Sequence, residues 1–152
     1  IIGPTRKMWK ELREKLTADC PGVRFRPSGD DEGDIGIALY LAFETADRAR
    51  RFGKALGAEG IPVGPTSSVL NMLHTEMVQE RQTPFANAAP FGSGNPGESV
   101  QYDPTAYART DEILETLVCI PVVPGYTETE IEDIVTAVKK VWPVIHDETS
   151  GE

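Results

Sequence analysis

The chain holds 152 residues, 39% of them hydrophobic, which is enough for one compact domain with its own core and too few for two sizeable ones. Its 15 Lys and Arg face 24 Asp and Glu, a net charge of -9, which opposes the counterion-release attraction used by nucleic-acid and anionic-membrane binders. Neither partner is expected. No apolar run approaches the ~20 residues of a bilayer span, and no signal sequence stands at the amino end, so a soluble cytoplasmic chain is expected. Ile1-Ile2-Gly3 lacks an initiator Met, which suggests a segment of something longer. Cys20 and Cys119 lie far apart with no metal-ligand spacing, and two free, buried thiols are expected rather than a zinc site or a disulfide framework.

In chain order, Met8, Trp9, Leu12 and Leu16 recur at helical spacing, with Lys7/Glu11, Lys10/Glu14 and Glu11/Lys15 as i,i+4 pairs. This amphipathic helix is expected to end at Cys20-Pro21-Gly22. After a polar turn, Ile35, Ile37, Leu39, Leu41 and Phe43 alternate with small or polar residues and predict a strand. Thr45 caps a helix with Ala46, Ala49, Phe52 and Leu56 on one stripe; Gly60 ends it, and Ile61-Pro62-Val63 predicts a short second strand. Residues 64–107 are so punctuated by Pro, Gly, Ser and Asn that only Val69 to Gln79 can hold helical turns. Thr110 to Leu114 predicts a short helix, and Leu117 to Val123 a strand that Pro121 places at an edge or strand end. Thr127-Glu128-Thr129-Glu130 is a capping box, with Tyr126 placed to staple onto Ile131. Pro143 is expected to stop the helix that follows.

These elements predict an α/β fold: a small mixed sheet of about three strands with helices packed on one face. The expected organisation is a linking helix over residues 1–21, a small α/β domain over 22–146 that carries the long irregular loop 64–107, and a disordered tail over 147–152.

A loop of that length inside a compact domain points to function. Within it His74 can hydrogen-bond a hydroxylated substrate or shuttle a proton, or it is a surface histidine in a short helix. Arg81 and Arg109 can grip a carboxylate or phosphate through their planar forks, or tie the loop down. Tyr102 and Tyr107 can pack on a sugar face or anchor the loop. His146 is expected to be inert. Gly92-Ser93-Gly94-Asn95-Pro96-Gly97 matches neither phosphate-loop spacing, and Asp30-Asp31-Glu32 with Asp34 lacks the pattern of a calcium loop; a flexible turn and a solvated turn are expected, and no metal site.

Leu117-Val118-Cys119-Ile120-Pro121-Val122-Val123-Pro124-Gly125-Tyr126-Thr127-Glu128-Thr129-Glu130-Ile131 resembles the closing strand, "PxPxxT" turn and capped final helix of the DegT/DnrJ/EryC1/StrS family, the pyridoxal-phosphate sugar aminotransferases of aspartate-aminotransferase fold. Asp34-Ile35-Gly36 leading into a strand, then Glu59-Gly60-Ile61-Pro62-Val63-Gly64, is similar to the family's small-domain core. A tyrosine common after the "GI" strand is replaced by Gly64-Pro65-Thr66-Ser67-Ser68, and the stretch from Thr83-Pro84-Phe85 to Pro90-Phe91 looks like a subgroup acting on larger or acidic sugars.

The resemblance spans Thr5 to Trp142. It implies that the chain is the C-terminal part of a homodimeric aminotransferase acting on a keto-sugar with an amino-acid donor. His74 falls where many members place a substrate-loop histidine; Arg81, Tyr102 and Arg109 complete the candidate substrate-binding set. It also implies that the Schiff-base lysine and the pyridoxal phosphate belong to a large domain upstream, since Lys7, Lys10, Lys15, Lys54, Lys139 and Lys140 all fall on polar helix faces. By itself the chain is expected to hold no cofactor and to be inactive. A stand-alone small-molecule-binding or regulatory module, and an interaction domain using the long loop, are the competing expectations.

Overall fold

The computed structural model describes residues 2–64, 70–86 and 88–146. The tail expected from Asp147 onward and the stretch 65–69 lie outside the described residues. The chain divides into two compact units: Ile1–Pro65 with Glu115–Glu152, and Thr66–Leu114.

The first unit is built from α1 (Ile2–Asp19), β1 (Ala38–Ala42), α2 (Ala46–Ala58), β2 (Leu117–Pro121) and α5 (Glu128–His146). β1 and β2 pair antiparallel, with Leu39 opposite Ile120 and Leu41 opposite Val118. Because side chains alternate along a strand, these four share one face, and all four lie in a single buried cluster with Trp9, Leu12 and Leu16 of α1, Phe52 and Leu56 of α2, and Ile131, Ile134 and Val138 of α5. Each fully buried Leu or Phe stabilises the fold by about 1.5–3 kcal/mol, whereas a surface ion pair such as Lys140–Glu59 contributes about 0–1 kcal/mol; the cluster therefore holds the unit together. Phe43, Phe52 and Trp142 stack with centroids 4.9 to 5.9 Å apart. Both indole N–H groups donate to backbone carbonyls, Trp9 to Ala38 and Trp142 to Pro21, each at 3.0 Å, so neither is buried without a partner.

The local signals explain the helix ends. Thr45 Oγ1 accepts from the Arg48 amide, and Gly60, at φ +88, closes α2 with Ile61 N–H on Leu56 O and Gly60 N–H on Gly57 O, the paired bonds of a Schellman motif. At the start of α5 the capping box is reciprocal: Thr127 N–H donates to Glu130 Oε2 at 2.7 Å and Glu130 N–H to Thr127 Oγ1 at 3.3 Å. Tyr126 packs against the cluster that contains Ile131.

The fold is mixed α/β, but among the described residues the sheet is smaller than expected and antiparallel rather than mixed: two strands, not three. Ile61–Val63 does not form a strand; a single bridge joins Gly64 to Cys119, and Pro62, with no N–H, cannot extend a ladder there. On the other edge Phe25 bridges Leu41. The first strand starts at Ala38 because Asp34 Oδ1 accepts the Gly36 amide at 2.8 Å and Gly36 takes φ +75, so Ile35 and Ile37 are exposed instead of buried. Pro143 does not stop α5, which continues to His146. A proline inside a helix removes one hydrogen bond, but Trp142 and Ile145 are both buried in the cluster, and that burial holds the last turn.

Gly36 serves a second purpose. A Cβ at this position would lie 2.9 Å from Trp9 Cβ and 3.1 Å from Arg6 Cα, so only glycine lets this turn lie against α1. Gly57, within α2, has open space around it. Gly36→Ala should cost about 2 kcal/mol or more, while Gly57→Ala should add about 0.5–1 kcal/mol. Urea denaturation of the two variants checks the opposite signs.

Candidate functional site

The second unit has a 3-10 turn at Met72–His74, then α3 (Glu76–Gln79), and it includes most of α4 (Ala108–Glu115). The helix expected from Val69 to Gln79 is broken at Thr75, whose ψ of 137 is extended, and Val69 lies outside the described residues. Asn71 caps the 3-10 turn: its Oδ1 accepts the Leu73 amide at 3.1 Å. That fixes the other end of the amide, and Nδ2 donates to Asp111 Oδ1 at 2.8 Å. The second carboxylate oxygen, Oδ2, lies 2.8 Å from His74 Nε2. A turn and a helix some forty residues apart are thus joined through three polar side chains. Asn71 is buried, and its amide satisfies both of its ends, as burial requires. The Asn71 amide, and after it His74, hold the Asp111 carboxyl below the usual carboxylate range.

Arg81 sits in the left-handed region at φ 57, an uncommon place for a side chain of its size. Its guanidinium donates to the carbonyls of Val100 at 2.9 Å and Gly97 at 2.8 Å, and also to that of Glu98, while its Cζ lies 5.5 Å from the Phe91 ring centroid. Phe91 in turn meets Tyr102 edge-on at 5.7 Å. Gln79 Nε2 donates to Tyr102 O at 3.1 Å and to Leu73 O at 2.5 Å, so one amide ties the segment containing Tyr102 to the turn that carries His74. Arg109 is different: 81% of its side chain is exposed, and it pairs with Glu112, at 2.8 Å along its own helix. Tyr107 is exposed.

The structure therefore joins Arg81 and Tyr102 through Phe91, joins His74 to α4 through Asp111, and leaves the Arg109 fork exposed beside its pair with Glu112. Asn71 and Asp111 were not legible as site residues. Asn71 carried a local signal, a capping side chain three positions before His74, but Asp111 reads in sequence only as an acidic residue in the first turn of a helix.

Other polar groups are already paired. Gly94 N–H donates to Glu98 Oε2 at 2.7 Å and Gly97 N–H to Pro90 O at 3.2 Å, so those glycine amides serve their own turn. In the acidic stretch Glu32 pairs with Lys10 and Asp31 with Arg13, each at 2.6 Å, and Asp30 Oδ1 accepts the amides of Glu32 and Gly33; the Ser28 hydroxyl, then Arg13, lowers the Asp31 carboxyl. These contacts fasten the turn to α1, and among the described residues no group of acids, His or Cys is placed to hold a metal. Cys20 and Cys119 are free and buried, and burial raises both thiols. No helix among the described residues is long and apolar enough to cross a membrane.

The lowered Asp111 carboxyl sets a pH dependence. An acid with a depressed folded pKa contributes stability above its unfolded value of about 3.9 and loses it as pH falls through the folded value. The Asp111 carboxyl ¹³C shift should therefore titrate with a midpoint below about 3.9, and Asn71→Ala should move that midpoint upward; an unmoved midpoint would contradict the assigned cause. No family model matches the chain, and no curated protein is significantly similar to it.

Proposed function

We propose that the chain is the small C-terminal domain of a cytoplasmic, homodimeric, pyridoxal-phosphate-dependent aminotransferase, acting on a nucleotide-linked or acidic keto-sugar with an amino-acid donor. The observation that carries this reading is the closing segment. The run from Leu117 to Ile131, which bears the sequence resemblance, contains a strand ending at Pro121, a Pro124-Gly125 turn and a helix opened by the Thr127/Glu130 capping box. That is the order the resemblance implies.

Pyridoxal phosphate supplies the electron sink for transamination, and the residues of this chain do not fit it. A cofactor lysine must be free to bond the carbonyl carbon. Lys10, Lys15, Lys139 and Lys140 are ion-paired with Glu32, Glu132, Asp19 and Glu59, and Lys7 and Lys54 are exposed on α1 and α2. No catalytic step is assigned to them; the cofactor site belongs to the rest of the enzyme.

In this reading the second unit forms a wall of the substrate site. His74 hydrogen-bonds a sugar hydroxyl. Arg109, whose fork is exposed, takes a carboxylate or phosphate. Arg81 and Tyr102 shape the wall: the Arg81 fork holds three backbone carbonyls, and the Tyr102 ring is fixed against Phe91.

Borohydride reduction in the presence of pyridoxal phosphate tests the proposal on the natural gene product and on the 152-residue chain. The expected result is a stable label on one lysine of the gene product that lies outside these 152 residues, and no single labelled lysine within them. A stoichiometric label at one lysine of the chain, or none on the gene product, overturns the reading.

A further inference from the structure

The hydrogen bonds around His74 have a direction, and the direction has a chemical consequence. The Leu73 amide can only donate, so the Asn71 oxygen must face it and the Asn71 nitrogen must face Asp111. Asp111 is ionised at neutral pH, its carboxyl being held below the ordinary range, and a carboxylate only accepts. His74 Nε2, 2.8 Å from that carboxylate, must then carry the hydrogen. A neutral imidazole has one N–H, so Nδ1 is left with its lone pair. No partner falls on Nδ1 among the described residues, and the His74 side chain is about a third exposed, at 32%.

We propose that Asp111, oriented by Asn71, is a positioning residue that locks His74 in its Nε2–H form and presents Nδ1 as an acceptor to a hydroxyl of the ligand. The inference rests on the reading of His74 as a substrate-binding residue and adds a selectivity to it. A bare Nδ1 favours groups that donate, such as the hydroxyls of a sugar, over carbonyl and carboxylate oxygens, which only accept. A ring with the opposite tautomer would prefer the reverse. The Leu73 amide fixes the Asn71 amide and the Asp111 carboxylate fixes the proton on Nε2, so the preference is set before any ligand arrives.

The lock makes an unusual prediction for Asp111→Asn. With Asn71 Nδ2 still donating, the new amide turns its oxygen toward Asn71 and its NH2 toward His74, which needs a lone pair on Nε2 and so drives the proton to Nδ1. The chain has two histidines, so imidazole ¹⁵N correlation spectra at pH 8, assigned with His146→Ala, read this directly. The expected wild-type signature for His74 is a single Nε2–H form. Asp111→Asn should move it toward the Nδ1–H form with the backbone amide spectrum otherwise retained. Asn71→Ala, which leaves Asp111 in place but unsupported, should give a mixture.

In the enzyme encoded by the natural gene, Asp111→Asn and His74→Ala should each lower kcat/KM for a hydroxylated keto-sugar by about tenfold. A proton on Nδ1 in the wild-type chain, or an unchanged signature in Asp111→Asn, overturns the lock. A reduced kcat/KM in His74→Ala with a wild-type value in Asp111→Asn overturns the positioning role alone. A wild-type value in His74→Ala removes the ring from the substrate site, which defeats the underlying reading instead.

Discussion

A ladder of five residue pairs presents two open edges and an apolar face, and a sheet this narrow is marginal in water on its own. Leu39, Leu41, Val118 and Ile120 must be covered, and only helices from both ends of the chain can cover them: α1 and α2 from the first part, α5 from the last. This requirement brings residues 2–64 and 115–146 into one unit, and the residues between belong to a second. The edges are blunted by single bridges to Phe25 and Gly64 rather than by further strands. Close approach completes the packing. Gly36 lets its turn lie on Trp9, and Gly64 lies against Cys119, where a Cβ would come within 2.8 Å of the Sγ.

The sequence was legible where one residue type meets one local need. Thr45, Gly60 and the Thr127/Glu130 box mark helix ends by capping chemistry that acts within a few residues, and these ends are observed. Legibility failed where distant parts override a local pattern. Ile35 and Ile37 continue the alternation of β1, and the Ile37 carbonyl still accepts the Val122 amide, but with the Asp34–Gly36 turn at this point both side chains are exposed. Pro143 signals a stop, but burial of Ile145 carries the helix past it. Pro62 weighs against a third strand, and the β-branched residues flanking it suggested one.

The second unit follows a different logic. Its described segments are anchored by polar side chains reaching across the chain: the Arg81 fork on three carbonyls, Gln79 between Leu73 and Tyr102, and Asp111 between Asn71 and His74. Such contacts leave little trace in sequence, because an arginine that holds carbonyls and one that grips a ligand look alike. His74 was legible by residue type and by its place in the irregular stretch, while the acid hydrogen-bonded to it was not, because 37 positions and a helix separate the two. In the proposed reading such a wall is anchored where its donors are committed and open at the His74 Nδ1, while the exposed Arg109 guanidinium is paired along its own helix with Glu112.

The claim that this unit forms a substrate wall is tested most directly by the position of one nitrogen atom. In a crystal structure of the natural gene product with a keto-sugar bound, His74 Nδ1 should lie within hydrogen-bonding distance of a sugar hydroxyl, about 2.7–3.2 Å, with Nε2 still on Asp111. A bound sugar that leaves the His74 ring facing water, or that sits against other elements altogether, would contradict it.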